Sequence, residues 1–144
     1  MIVLTRISLI NLKNNRMDKL EYIPGDLAFH YIPKTTIKKY VKVYVCSTNN
    51  ALSLEDMDGN LYDYIGELYP IPLTSEILEK NGWKLSHGFY WSPNEEGAGV
   101  GLSSQTGYVW DAYIGRNPLR SNINNVSDLQ HLLFGLDINH EMEV

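Results

Sequence analysis

Residues 70 to 138 are written as a helix, a small sheet and a second helix, and that order sets the architecture of half the chain. Pro70 and Pro72 hold their segment extended, because each proline restricts the residue before it to the β region. Thr74 follows as an N-cap, Glu76 and Glu79 favour the positive start of the helix, and Lys80 suits its end. Ile77 and Leu78 supply the buried stripe. Asn81-Gly82 ends the helix, with Gly82 as the left-handed residue that closes such termini. Three strands are then predicted, over 88–92, 99–103 and 108–114, with turns at 93–97 and 105–107. Residues 115–122 are polar and irregular and are expected to form a loop. In the last predicted helix, Val126, Leu129, Leu133 and Leu136, with Leu132 beside them, follow the spacing of one apolar face. Residues 139–144 form an acidic tail that is expected to fray.

The preceding part, 17–69, is β-rich. Pro24-Gly25-Asp26 forms a turn, and a strand over 27–31 ends at Pro33. In the strand predicted over 40–47, Tyr40, Lys42, Tyr44 and Cys46 face one way and Val41, Val43 and Val45 the other. Asn49-Asn50 makes a turn, residues 51–54 pair back, and Asp58-Gly59 is a hairpin signal before 61–65. Short strands with tight turns suggest a small, twisted, SH3-like sheet. The fold class is therefore α+β. A small antiparallel N-terminal sheet precedes a helix, a three-stranded antiparallel sheet and a helix, and both halves share one core. A chain of 144 residues suits one domain. Residues 1–16 are apolar, too short for a membrane span and without a small-residue cleavage site. They are expected to be an extension upstream of a native start at Met17, or else a first strand over 2–10.

Charge narrows the classes of function. Residues 1–50 carry a net +5 and residues 51–144 a net −10, giving −5 overall. Such an acidic chain is not expected to bind DNA stably, since that requires many phosphate contacts. Lys34, Lys38, Lys39 and Lys42 either hold an anion or form a solvated hairpin arm whose lysines deter aggregation. The single cysteine, Cys46, excludes an internal disulfide and most zinc sites. It is expected to be a buried thiol, which suits a reducing compartment.

Two motifs carry a family resemblance. The first is Ile71-Pro72-Leu73-Thr74 through Gly82-Trp83; the second is Val126, Leu129-Gln130, Leu132, Phe134 and Leu136. With a hairpin between them, this pattern resembles a group of small, largely uncharacterised proteins of Bacteroides-type bacteria, their phages and prophages, over about residues 65–138. Members often open with a short strand, to which Tyr22-Ile23-Pro24-Gly25-Asp26-Leu27 is a distant counterpart. The resemblance implies a phage or mobile-element setting. Its motif residues look structural, so it implies no catalytic role.

No other motif supplies a catalytic constellation. Asp56, Asp58, Gly59 and Asn60 look like part of a calcium loop but lack its closing Glu, and are read as a hairpin turn. The glycines at 97, 99 and 101 lack the following helix and lysine of a phosphate cradle. His30, His87, His131 and His140 share no metal-ligand spacing, and His131 is expected at the surface. No cofactor or metal is expected.

The most informative cluster is aromatic plus basic. Trp91, Tyr108, Trp110 and Tyr113 lie with Tyr90 on adjacent predicted strands, and Arg116, Asn117 and Arg120 follow in the loop. Aromatic faces stack bases, and arginine grips phosphate through a planar fork. The competing reading packs Tyr108 and Trp110 under the last helix. The leading expectation is a non-enzymatic binding protein, an anti-defence sponge that sequesters a small nucleotide immune signal. The alternative is a protein-interaction module that binds or inhibits a host or phage protein. An enzyme would need His87 or Asp111 beside the arginine loop. A homodimer or higher oligomer is compatible with the aromatic strands, and no membrane partner is expected.

Overall fold

The computed structural model describes residues 22–46, 51–93 and 99–144. The expectations for residues 1–16, for the Asn49-Asn50 turn and for most of 93–97 lie outside them. The described residues form two antiparallel five-stranded sheets and two helices.

The N-terminal sheet contains β1 (Leu27–Tyr31), β2 (Lys38–Cys46), β3 (Leu52–Asp56), β4 (Leu61–Tyr64) and β5 (Tyr69–Pro70), in the order β4-β3-β2-β1-β5. Pro24-Gly25 turns the chain into β1. The Asp26 amide donates to the Ile23 carbonyl at 3.0 Å, and Gly25 takes a φ of 98°, as a type II turn requires. Between β3 and β4 the Asp56 carboxylate accepts from the Asp58 and Asn60 amides, both at 2.9 Å. The Asn60 amide is the main cause holding its pKa below the ordinary value. The acidic run is thus a hairpin turn.

The C-terminal half begins with α1 (Ser75–Lys80), continues through β6 (Lys84–Ser86), β7 (Phe89–Trp91), β8 (Val100–Ser103), β9 (Trp110–Ile114) and β10 (Asn117–Ile123), and ends in α2 (Val126–Gly135). Five strands, ordered β10-β9-β8-β7-β6, stand where three were expected. The two additions are edge strands without an amphipathic pattern. β6 exposes its only large apolar residue, Leu85, and joins β7 through His87-Gly88, both at positive φ. The expected loop 115–122 is mostly β10, exposed from Asn117 to Asn122 and buried only at Ile123. Pro118 is tolerated because an edge strand leaves one row of backbone groups unpaired.

Both helices are capped at each end. Thr74 Oγ1 accepts from the Ile77 amide, and Asn125 Oδ1 from the Asp128 amide. At the C-termini the Trp83 amide bonds the Leu78 carbonyl at 3.0 Å, and the Ile138 amide bonds the Leu133 carbonyl at 2.9 Å. The two family-like motifs meet at their starts. The Val126 amide donates to the Ile71 carbonyl at 2.8 Å, and the Leu73 amide to the Asn124 carbonyl at 3.1 Å.

The expected single core is two clusters that meet at β1. Leu27 and Phe29 pack with Leu73, Leu78, Trp83, Leu102, Trp110, Val126 and Leu129. Ala28 packs with Val41, Val43, Leu52, Leu54 and Leu68. Strand alternation sends neighbouring β1 residues to opposite faces, so one strand serves both. Gln130, fully buried, ties the halves together: its Oε1 accepts from the Leu27 amide at 2.9 Å, and its Nε2 donates to the Gly25 and His140 carbonyls. The tail is docked rather than frayed. Met142 is buried, and Asn81 exchanges two 2.8 Å hydrogen bonds with the Glu143 backbone.

Candidate functional site

Strand alternation divides the aromatic residues between two faces of the C-terminal sheet. On β9, Trp110 and Ala112 point into the core, while Asp111 and Tyr113 point outward and stay partly exposed. On β7, Tyr90 is buried, and Phe89 and Trp91 are partly exposed. Gly101 of β8 lies between them, paired with Trp91 on one side and Tyr113 on the other. Lacking a side chain, it lets the Trp91 indole lie against the strand: a Cβ there would sit 2.8 Å from the indole Cζ3. Phe89 completes the group, 5.6 Å from Trp91 and 5.4 Å edge-on to Tyr113 between ring centres. The Trp91 Nε1–H donates to the Ser86 carbonyl at 3.3 Å, which fixes the indole. The sequence reading passed over Phe89. Its place two residues before Trp91 on one strand is the signal that puts it on the same face.

The other predicted residues are dispersed. Trp110 is a core residue, 3% exposed, whose Nε1–H donates to the Leu73 carbonyl at 2.9 Å. Tyr108 precedes β9 instead of lying within it. The Thr106 hydroxyl accepts from the Tyr108 and Val109 amides, shaping a turn that leaves Tyr108 73% exposed. Arg116 stands in the tight turn after Ile114, at the Tyr113 end of the face, and Asn117 opens β10 opposite Ile114. Arg120 lies opposite Ala112, and its Nη2 is 3.6 Å from the Asp128 carboxylate near the start of α2. Trp91, Tyr113 and Arg116 therefore share one end of the open face; Trp110, Tyr108 and Arg120 do not. His87 lies in the β6–β7 turn, at the opposite end of the sheet from Arg116, with its Nδ1 3.0 Å from the Ser86 hydroxyl.

His131 is at the surface only in part, its side chain 30% exposed, and its ring is paired rather than free. Its Nε2 lies 2.6 Å from Oδ2 of Asp26, a carboxylate with no exposure whose Oδ1 has no hydrogen-bond partner. Asp26 Oδ2 also accepts from the Ile23 amide at 2.9 Å. Burial pulls the His131 pKa down, but the hydrogen bond and charge of Asp26 and the charge of Asp128 prevail over it and over Arg120. The pKa is raised above 6.5. Helical periodicity placed His131 off the apolar stripe correctly, but its partner is 105 residues away in sequence and left no local signal.

Two clefts of about 460 and 390 Å³ flank the docked tail; none of the residues of the aromatic-plus-arginine cluster lines either, and Lys42 lines the second. Among the described residues, no group of three or more His, Cys, Asp or Glu side chains could hold a metal ion, and no helix is long and apolar enough to cross a membrane. No family model, curated protein or solved structure matches the chain.

Proposed function

We propose that this is a non-enzymatic binding protein that takes the planar ring of a small nucleotide-type ligand on the Phe89–Trp91–Tyr113 face. The observation that supports it is the cluster of three partly exposed rings on one sheet face, with the Trp91 indole lying over Gly101. Stacking on such rings contributes about 1–3 kcal/mol per base, and Arg116 at the edge offers a planar fork for phosphate. An open face covers one side of a ring, so a second copy of the chain would supply the enclosure, and a homodimer is part of this reading. In the phage or prophage setting that the two motifs suggest, the ligand is a nucleotide-derived immune signal, and sequestering it in the bacterial cytoplasm counters host defence. The N-terminal sheet, with its β1–β5 pairing, is in our reading an SH3-like support.

Tryptophan fluorescence tests the proposal. Trp83 and Trp110 are buried and Trp91 is partly exposed, so a stacking ligand quenches chiefly Trp91. Titration with cyclic nucleotides and ADP-ribose derivatives is expected to give saturable quenching, loss of affinity of tenfold or more in Trp91→Ala, and intact ligand after denaturation. Ligand recovered in degraded form would show an enzyme, and no binding by any candidate would sink the idea. A second reading, a protein-interaction module, draws on Leu85 and Leu119 of the two edge strands, with Val109 before β9 and Ile114 at its end, all exposed by 38–61%. Co-purification of a stoichiometric protein partner that Leu119→Glu abolishes would favour it.

A further inference from the structure

We infer that a separate face, on the β1–β2 hairpin, binds a short single-stranded stretch of nucleic acid. Four rings gather there across three strands. Phe29 stacks on Tyr69 at 5.6 Å, meets Tyr31 edge-on at 5.6 Å and lies 5.9 Å from Tyr40; Tyr31 is 5.3 Å from Tyr69. The register explains the grouping. Phe29 pairs with Tyr40 on one side and Tyr69 on the other, and Tyr31 pairs with Lys38, so all share one face. Along β1 that face emerges from the core. Leu27 is 2% exposed, Phe29 6% and Tyr31 39%, with Tyr40 at 38%. The open end therefore presents two phenol rings, Tyr31 and Tyr40, each packed against the buried Phe29 ring.

Charge selects the ligand. Residues 27–46 contain four lysines and no acidic residue, in a chain whose net charge is −5. Lys39 points to the other face, 3.7 Å from Asp56 and 4.6 Å from the Tyr62 ring centre. Lys38 remains on the aromatic face, its Nζ 4.7 Å above the Phe29 ring centre. Lys34 is exposed at the hairpin tip with a φ of 63°, where glycine is the ordinary occupant. Glu67 borders the β5 side and accepts from the Tyr69 hydroxyl at 3.4 Å. Phosphates would therefore run along the β2 side, past Lys38 toward Lys34. Exposed rings beside lysines match consecutive bases and their backbone. Two separate exposed rings suit a strand, since a mononucleotide would occupy only one. The inference is independent of the ligand proposed for the Trp91 face.

Fluorescence anisotropy with a labelled pyrimidine oligonucleotide about eight residues long, as RNA and as DNA, tests it. Saturable binding is expected. It should weaken roughly sevenfold between about 50 and about 200 mM salt if two phosphates meet lysines. The double variant Tyr31→Ala/Tyr40→Ala is expected to lose tenfold or more, and Lys38→Gln to flatten the salt dependence. Trp91→Ala is expected to bind as the unaltered chain does, which separates this face from the other. Circular dichroism reports whether the tyrosine variant is folded; if it is not, the Lys38→Gln salt profile decides. The inference is overturned if no oligonucleotide binds, if AMP or a duplex binds as tightly, or if Lys38→Gln leaves the salt dependence unchanged.

Discussion

At the residue scale, the two helix C-termini solve one problem with different side chains. Each ends in a residue of positive φ that lets the next amide reach back to the last turn: Gly82 at 84° and Asp137 at 59°. Gly82 was legible because glycine is the residue such a terminus favours. Asp137 was not, because its conformation is imposed by the Ile138 amide bonding to Leu133 and by the docked tail beyond. An aspartate in this region is strained relative to glycine. Asp137→Gly is expected to stabilise the protein by about 0.5–1 kcal/mol, read as a higher urea midpoint at unchanged slope. A lower midpoint would show that the carboxylate contributes more than the backbone strain costs.

At the element scale, amphipathic elements were legible and edge strands were not. β9 and α2 announce themselves because one side of each is buried; β6 and β10 have almost nothing to bury. Their pairing comes from turn geometry at His87-Gly88 and Gly115-Arg116, which apolar spacing does not report. The open aromatic face depends on one such cross-strand detail, the missing side chain at Gly101. Gly101→Ala would place a methyl 2.8 Å from the Trp91 indole and force the ring off the strand. Overpacking of this kind costs about 1–3 kcal/mol. The expected readout is a lower melting temperature with a red-shifted tryptophan emission, and an unshifted spectrum would mean that the indole does not lie on Gly101.

At the scale of the whole molecule, α2 joins the two sheets through adjacent residues, Gln130 to the β1 backbone and His131 to Asp26. The His131 pair makes the junction pH-dependent. Its pKa is raised in the folded protein, so the stabilisation is complete below the unfolded value near 6.5. It fades as pH rises through the folded value, when the imidazole loses its charge and the hydrogen bond to Asp26 its charge assistance. Asp128 reinforces the charged imidazole and Arg120 opposes it. Thermal unfolding is expected to show stability falling as pH rises above about 6.5, and His131→Gln to remove that component of the slope. An unchanged pH profile in the variant would locate the dependence elsewhere. Breaking the pair from the other side, with Asp26→Ala, loses the bonds to both His131 and the Ile23 amide and should cost about 1.5–3 kcal/mol.

The sequence alone determined what is local: the caps and stop of α1, the amphipathic face of α2, the hairpin turn at Asp58-Gly59 and the α+β class. Each rests on residues close together in the chain, where backbone preference and apolar spacing act directly. Tertiary structure decided which residues meet. It drew Arg120 to Asp128, sank Trp110 into the core, buried Asp26 against His131 and left Trp91 and Tyr113 on either side of Gly101. These outcomes follow from strand register and from packing between distant segments. A one-residue change in register would turn every side chain of a strand to the opposite face, so composition and nearest neighbours could not have assigned them.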